Sequence, residues 1–449
     1  MTESIARRDT VFLGHPSGLG WLSGTEFWER FSYYGMANML TLYLVHQLLL
    51  PGHIEHVGGM DLFRRLLGGG EGQALAAHIS GFYQTGVYLT PLLGGFLADR
   101  YLGKSAAVIT GALMMAVGHF LMAFDVSFVL ALLFLLCGIG LFKGNIAAQV
   151  GDLYAEGDKR RADGFQIYYI GIQLAGIITP FVCGTLGETV GWHWGFGAAG
   201  VGMVIGGATY LVGKARGALP AEKMRGGHVA RPPLTARDKT AMGMLALLVP
   251  ILALSLVGNQ ELFNAYLVWS EKNFQLVFFG KTMPVTWLLS LDTVFSAVLI
   301  TVSVLFWRWY ARHWREPDEV GKMCIAIGIC ATAPLTLALA SATVARTGQP
   351  VSLTWALAFH LLNDLGFSNL LPVGLALYSR AAPKGWDGVM IAIYYLQFAT
   401  ANAMVGYLAG LLGTMPGFDF WMLHVGIMLV SGVLLLLIRK AAGKALAPG

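Results

Sequence analysis

Apolar stretches long enough to cross a bilayer recur along the whole chain, and nothing constrains its fold more. About 20 apolar residues are needed to span the hydrocarbon core as a helix. Such stretches centre near residues 35, 88, 114, 136, 175, 202, 252, 299, 330, 364, 400 and 429. Only 12% of the 449 residues are charged, against about 25% in soluble domains. The expected fold class is therefore an all-α polytopic membrane protein with the lipid bilayer as its solvent. The 58 glycines suit close helix–helix packing in lipid. A Pro- and Gly-containing basic segment, 214–239, divides the chain into an expected six-helix half over 1–213 and a second over 240–449. Lys and Arg mark the cytoplasmic side of a span. Arg7, Arg8, Arg100, Lys104, Lys159 to Arg161, the 214–239 segment, Arg308 to Arg315, Arg380, Lys384, Arg439 and Lys440 fall on one side. Both termini are thus expected in the cytoplasm. No h-region with a cleavage site opens the chain, so no cleaved signal peptide is expected.

Within the first apolar stretch, Glu26, Glu29, Arg30 and Tyr33 are spaced so that a helix puts them on one face. A charge inside a membrane span costs about 2.5–3.5 kcal/mol on insertion scales and usually faces a polar cavity. Two acids and one base on one stripe leave a carboxylate to spare, which can carry a proton. A buried structural ion pair is the alternative. Lys143, after the apolar run 128–141 and flanked by Gly138, Gly140 and Gly144, is read as facing a cavity rather than snorkelling to an interface. Gln166, Tyr168, Tyr169 and Gln173 need polar partners in lipid. Glu261, Asp292, His360 and Asp364 add titratable groups to the second half, with His360 and Asp364 one helical turn apart.

The four cysteines, Cys137, Cys183, Cys324 and Cys330, lack metal-ligand spacing and are read as buried small hydrophobes without a disulfide. No Ser/His/Asp or Cys/His arrangement, paired metal ligands or phosphate loop is evident. An enzyme, a metal site and a nucleic-acid partner are not expected.

The run Gly94-Gly95-Phe96-Leu97-Ala98-Asp99-Arg100-Tyr101-Leu102-Gly103-Lys104 resembles the cytoplasmic loop motif of the major facilitator superfamily. Glu26-x-x-Glu29-Arg30-Phe31-x-Tyr33-Tyr34-Gly35 resembles the first-helix signature of its proton-coupled oligopeptide transporter (POT) family. Tyr88-Leu89-Thr90-Pro91, Lys143-x-Asn145-Ile146, Tyr168-Tyr169, Pro372-Val373-Gly374-Leu375 and Ala382-Pro383 follow in the family's order.

The resemblance implies twelve helices in two pseudosymmetric halves, with a central site reached alternately from each side. It implies proton-driven import of di- or tripeptides, with protons as coupling ion and no cofactor, by a monomer in the bacterial inner membrane. Glu26, Glu29, Arg30 and Glu261 would couple protons. Tyr33, Tyr34, Tyr88, Lys143, Gln173, Asp292 and Asp364 would line the substrate site. Gly95, Asp99, Arg100 and Gly103 would form the conformational loop motif. Three departures stand out: Ala37 replaces an Arg that clamps the peptide carboxylate, Phe367 replaces a Glu that meets its amino group, and Asp292 replaces an Asn. They imply a specificity shifted toward cationic, modified or peptide-like substrates. A proton-coupled importer or exporter of a non-peptide molecule, and a non-transporting receptor, are the alternatives.

Overall fold

The computed structural model describes residues 12–155, 157–220, 234–383 and 386–442. Residues 221–233 of the expected basic linker, together with Arg7, Arg8 and Lys384, lie outside the described residues. Twelve long helices stand where the apolar stretches fall: α1 Ser17–Tyr43, α2 Gly72–Leu97, α3 Lys104–Leu121, α4 Phe128–Asp152, α5 Arg160–Thr179, α6 Trp192–Ala215, α7 Ala236–Gln260, α8 Trp287–His313, α9 Glu319–Thr347, α10 Thr354–Arg380, α11 Asp387–Leu408 and α12 Gly417–Ala442. A two-stranded hairpin, β1 Val277–Phe278 and β2 Lys281–Thr282, follows the short helix Ala265–Asn273. Among the described residues, nine helices are long and apolar enough to cross a membrane by length and composition. The other three, α1, α2 and α10, are more polar, and they include the helices that carry Glu26, Glu29, Arg30, His360 and Asp364.

The chain divides into two compact units, 1–68 with 89–228 and 69–88 with 229–449. The division falls inside α2, so Tyr88 belongs to the second unit although it precedes the 214–239 segment. In the first unit α1 packs on α5 and α6, and α3 on α4 and α6. In the second, α9 packs on α10 and α12, and α7 on α11 and α12. Glycines bring these backbones together. A Cβ at Gly35 would fall 2.8 Å from the Cβ of Ala199, and one at Gly94 would collide with the Gly140 carbonyl. Internal prolines at 91, 250, 334 and 372 are tolerated because neighbouring groups satisfy backbone polar atoms in lipid.

The cysteine expectation needs a correction. Cys183 and Cys330 are buried, but Cys137 is exposed on the outer surface of α4. An outward face of a spanning helix meets lipid rather than water, so an apolar sequence context does not distinguish core from periphery.

Candidate functional site

The first unit gathers the charged stripe of α1. Glu26, Glu29 and Arg30 are all buried, Glu29 completely. Arg30 donates from Nε to Glu29 Oε2 at 2.5 Å and from its terminal nitrogen to Glu29 Oε1 at 2.6 Å. This is the two-pronged guanidinium–carboxylate geometry that is strongest away from water. Glu26 Oε1 lies 3.2 Å from the same Nε, one helical turn away. Glu26 Oε2 is without a hydrogen bond among the described residues. A carboxylate oxygen buried without a donor is costly. Glu26 thus keeps one oxygen without a partner at hydrogen-bond distance, beside the Tyr168 hydroxyl, while both Glu29 oxygens are held by Arg30.

Tyr33 lies close to two cations. The Arg30 guanidinium carbon sits 4.8 Å from its ring centroid and the Lys143 ammonium 6.0 Å. Tyr34 packs against Tyr33 with centroids 5.2 Å apart. Lys143 on α4 is half-buried and within electrostatic reach of Arg30, Glu29 and Glu26. From α5, Tyr168 is buried close to Glu26, and Gln173 is half-buried on the same helix. With every group ionised the cluster is balanced, two acids against two bases. One added proton leaves a net positive charge beside Tyr33.

The loop motif lies between α2 and α3. Gly103 has φ +78°, in the region that favours glycine, and starts α3. Asp99 and Arg100 are exposed, with Arg100 5.8 Å over the Tyr101 ring. Lys104 forms an ion pair with Asp152 at the end of α4. The crowded glycine is Gly94, whereas a Cβ at Gly95 meets nothing within 4 Å. In the loop before α5, a side-chain hydrogen bond from Arg160 holds the half-buried Asp158 carboxyl below the usual carboxylate range.

The second unit holds two further buried networks. Glu261 follows α7 and is completely buried. Its Oε1 meets His424 Nε2 at 2.9 Å, and its Oε2 accepts the Ala265 N–H at 3.1 Å. His424 Nδ1 lies 2.8 Å from the Phe420 carbonyl. A carbonyl can only accept, so Nδ1 carries hydrogen and one proton is shared between Nε2 and Glu261. Both Glu261 oxygens are thus engaged. His424 was legible only as a lone histidine in an apolar run.

The other network joins α8, α10 and the Ala265–Asn273 helix. His360 is wholly buried. Its Nδ1 lies 2.9 Å from Asp292 Oδ1, and its Nε2 lies 2.8 Å from the Tyr266 hydroxyl. Asp364 is 2% exposed, and its carboxyl comes within 4.8 Å of that of Asp292. Acceptor atoms of Asp292, His360 and Asp364 lie within 4.8 Å of one another. Both ring nitrogens of His360 are already hydrogen-bonded, so the imidazole presents no spare lone pair to a cation. At that spacing two carboxylates would repel by about 3–4 kcal/mol at an effective dielectric near 20. Tyr88 stacks on Phe398 at 5.0 Å, and Phe367 meets the same ring edge-on at 6.4 Å. The His360–Asp364 spacing pointed to this network, but no sequence pattern linked either residue to Asp292 or Tyr266.

Comparisons with known proteins cover the chain nearly end to end. The POT family model matches residues 105–223. An uncharacterized transporter of Bacillus subtilis, YclF, is 30% identical, with 97% of this chain and 96% of that protein aligned. The peptide transporter YePEPT of Yersinia enterocolitica is 29% identical over 89% of this chain and 88% of its own. A crystal structure of a mutant POT peptide transporter with alafosfalin superposes with a TM-score of 0.79 at 26% identity, covering 99% of both chains. The helical architecture, the ordered motifs and these likenesses agree: the chain is a multi-pass integral membrane protein and belongs to the POT family of transporters.

Proposed function

We propose that the protein is a proton-coupled symporter that imports short peptides or peptide-like compounds by alternating access. The observation that carries this reading is the buried Glu26–Glu29–Arg30 network, with the Lys143 ammonium 6.0 Å from the Tyr33 ring centroid. A proton on Glu26 weakens its hold on Arg30 and leaves Arg30 and Lys143 with a surplus positive charge. That surplus attracts the carboxylate of a substrate, with Tyr33, Tyr34 and Gln173 shaping this part of the site; Tyr88, stacked on Phe398, is assigned to the substrate-binding surface of the second unit. Proton and substrate binding thereby favour each other. Glu261, whose oxygens are both taken, is assigned instead to holding the second bundle together.

Asp292, 19% exposed at its side chain, is the acid placed to meet a cationic group, with Asp364 behind it. Ala37 is buried and small, and Phe367 is occupied by Phe398. Neither position offers the charge that the family resemblance leads one to expect. This supports a preference for cationic, capped or modified peptides. It also favours a second reading, proton-coupled transport of a non-peptide molecule. Gly95, Asp99, Arg100 and Gly103 are assigned to the loop that changes between conformations. We place both termini in the cytoplasm, the protein in a bacterial inner membrane, and a monomer as the working unit.

Purified protein in liposomes with an inward proton gradient and a negative interior tests the proposal. Internal acidification driven by any member of a di- and tripeptide library is the expected result, fastest with cationic side chains. Silence across the library from folded protein would overturn the peptide reading.

A further inference from the structure

Asp364 presents a buried carboxylate oxygen of the second unit, Oδ2, that lacks a hydrogen-bond partner among the described residues. Its carboxyl faces Asp292, which faces His360, which in turn faces Tyr266. The half-buried Asp292 thus stands between two buried groups, Asp364 on one side and His360 with Tyr266 on the other. We propose that Asp292, His360 and Asp364 form a second proton-binding site, separate from the α1 stripe, with Tyr266 as the residue that positions the imidazole.

The hydrogen-bond directions support this. With neutral His360, the Tyr266 hydroxyl donates to Nε2 while Nδ1–H donates to Asp292. With protonated His360, Nε2–H donates and the tyrosine oxygen accepts. The imidazole can therefore gain or lose a proton without losing either partner, and only the tyrosine hydrogen must rotate. Facing carboxyls need one proton between them, and Asp364 Oδ2 is open to receive it.

Little else competes for that proton. The helix α9 contributes the Cys330 thiol, whose sulfur meets the Asn363 carbonyl at 3.7 Å. After Lys322 and up to Ala345, α9 has no charged residue, nor has α7 between Thr240 and Gln260 or α11 after Asp387. The inference rests on the proton-coupled reading, and it deepens the role of Asp292 and Asp364: the acids that face a substrate cation hold a proton when none is bound.

The test is infrared difference spectroscopy of the full-length protein in liposomes on a pH jump, which needs no transport. The expected result is a buried carboxylic-acid band in the wild type, retained in Glu26→Gln, lost in Asp364→Asn and shifted in His360→Gln and Tyr266→Phe. A monodisperse gel-filtration peak and a wild-type-like thermal transition identify folded variants, and Asp292→Asn serves as the second carboxyl variant. A band unchanged in both Asp364→Asn and Asp292→Asn would overturn the proposal. So would its complete replacement by ionised carboxylate bands when zinc alone is added at neutral pH, which would make the cluster a metal site. If the band behaves as expected but no peptide drives acidification, the site stands and the peptide reading fails.

Discussion

Replacing Glu29 by Gln removes one charge from the most deeply buried ion pair of the first unit. Arg30 loses its two-pronged partner and keeps only Glu26, which lies 3.2 Å from Nε. Breaking a buried pair by deleting one partner costs about 3–5 kcal/mol. Glu26 compensates in part, so about 3 kcal/mol of stability is expected to be lost. The larger effect is on coupling. Once Glu26 is the sole partner of Arg30, it is held ionised and can no longer carry a proton. One coupled charge contributes about 2.3 kcal/mol per 100 mV. At about 1.4 kcal/mol per tenfold, accumulation driven by 100 mV is expected to fall about 50-fold. Exchange down a substrate gradient needs no proton movement and is expected to survive. The assay measures proton-driven uptake and counterflow in parallel liposomes of equal protein content. Wild-type accumulation by Glu29→Gln would refute the assignment. Loss of both activities in a protein that remains monodisperse and folded would instead give the pair a structural role.

Other perturbations probe separate parts of the argument. Lys143→Gln should raise KM about tenfold or more, about 1.4 kcal/mol, for dipeptides with a free carboxylate and leave amidated analogues unchanged; equal effects on both would remove the carboxylate role. Glu261→Gln and His424→Gln should each lower stability by about 3–5 kcal/mol, whereas the double replacement by Leu should recover part of it; thermal unfolding of all three in one detergent compares them. Gly94→Val should prevent tight packing against the Gly140 backbone and cost several kcal/mol, while Gly95→Ala, with open space at its Cβ, should stay within about 0.5 kcal/mol of the parent. Retained wild-type stability of Gly94→Val would show that the approach can relax.

Sequence alone determined the class of fold, because lipid admits only a narrow choice. Every backbone polar group must be satisfied locally, so twelve apolar stretches had to become helices. It also determined which α1 residues share a face, since helical spacing places Glu26, Glu29, Arg30 and Tyr33 together without knowledge of any neighbour. The tertiary structure decided the pairings. Which acid is saturated and which is left open depends on the reach of Arg30 toward Glu29 rather than Glu26. Glu261 looked equivalent to the other buried acids until His424, 163 residues away, closed it. Asp292, His360 and Tyr266 lie on three elements whose meeting no local pattern encodes. Hydropathy and helical periodicity are local properties and survive in one dimension. Proton sites depend on which polar groups share a buried volume, and only the packing of distant helices sets that.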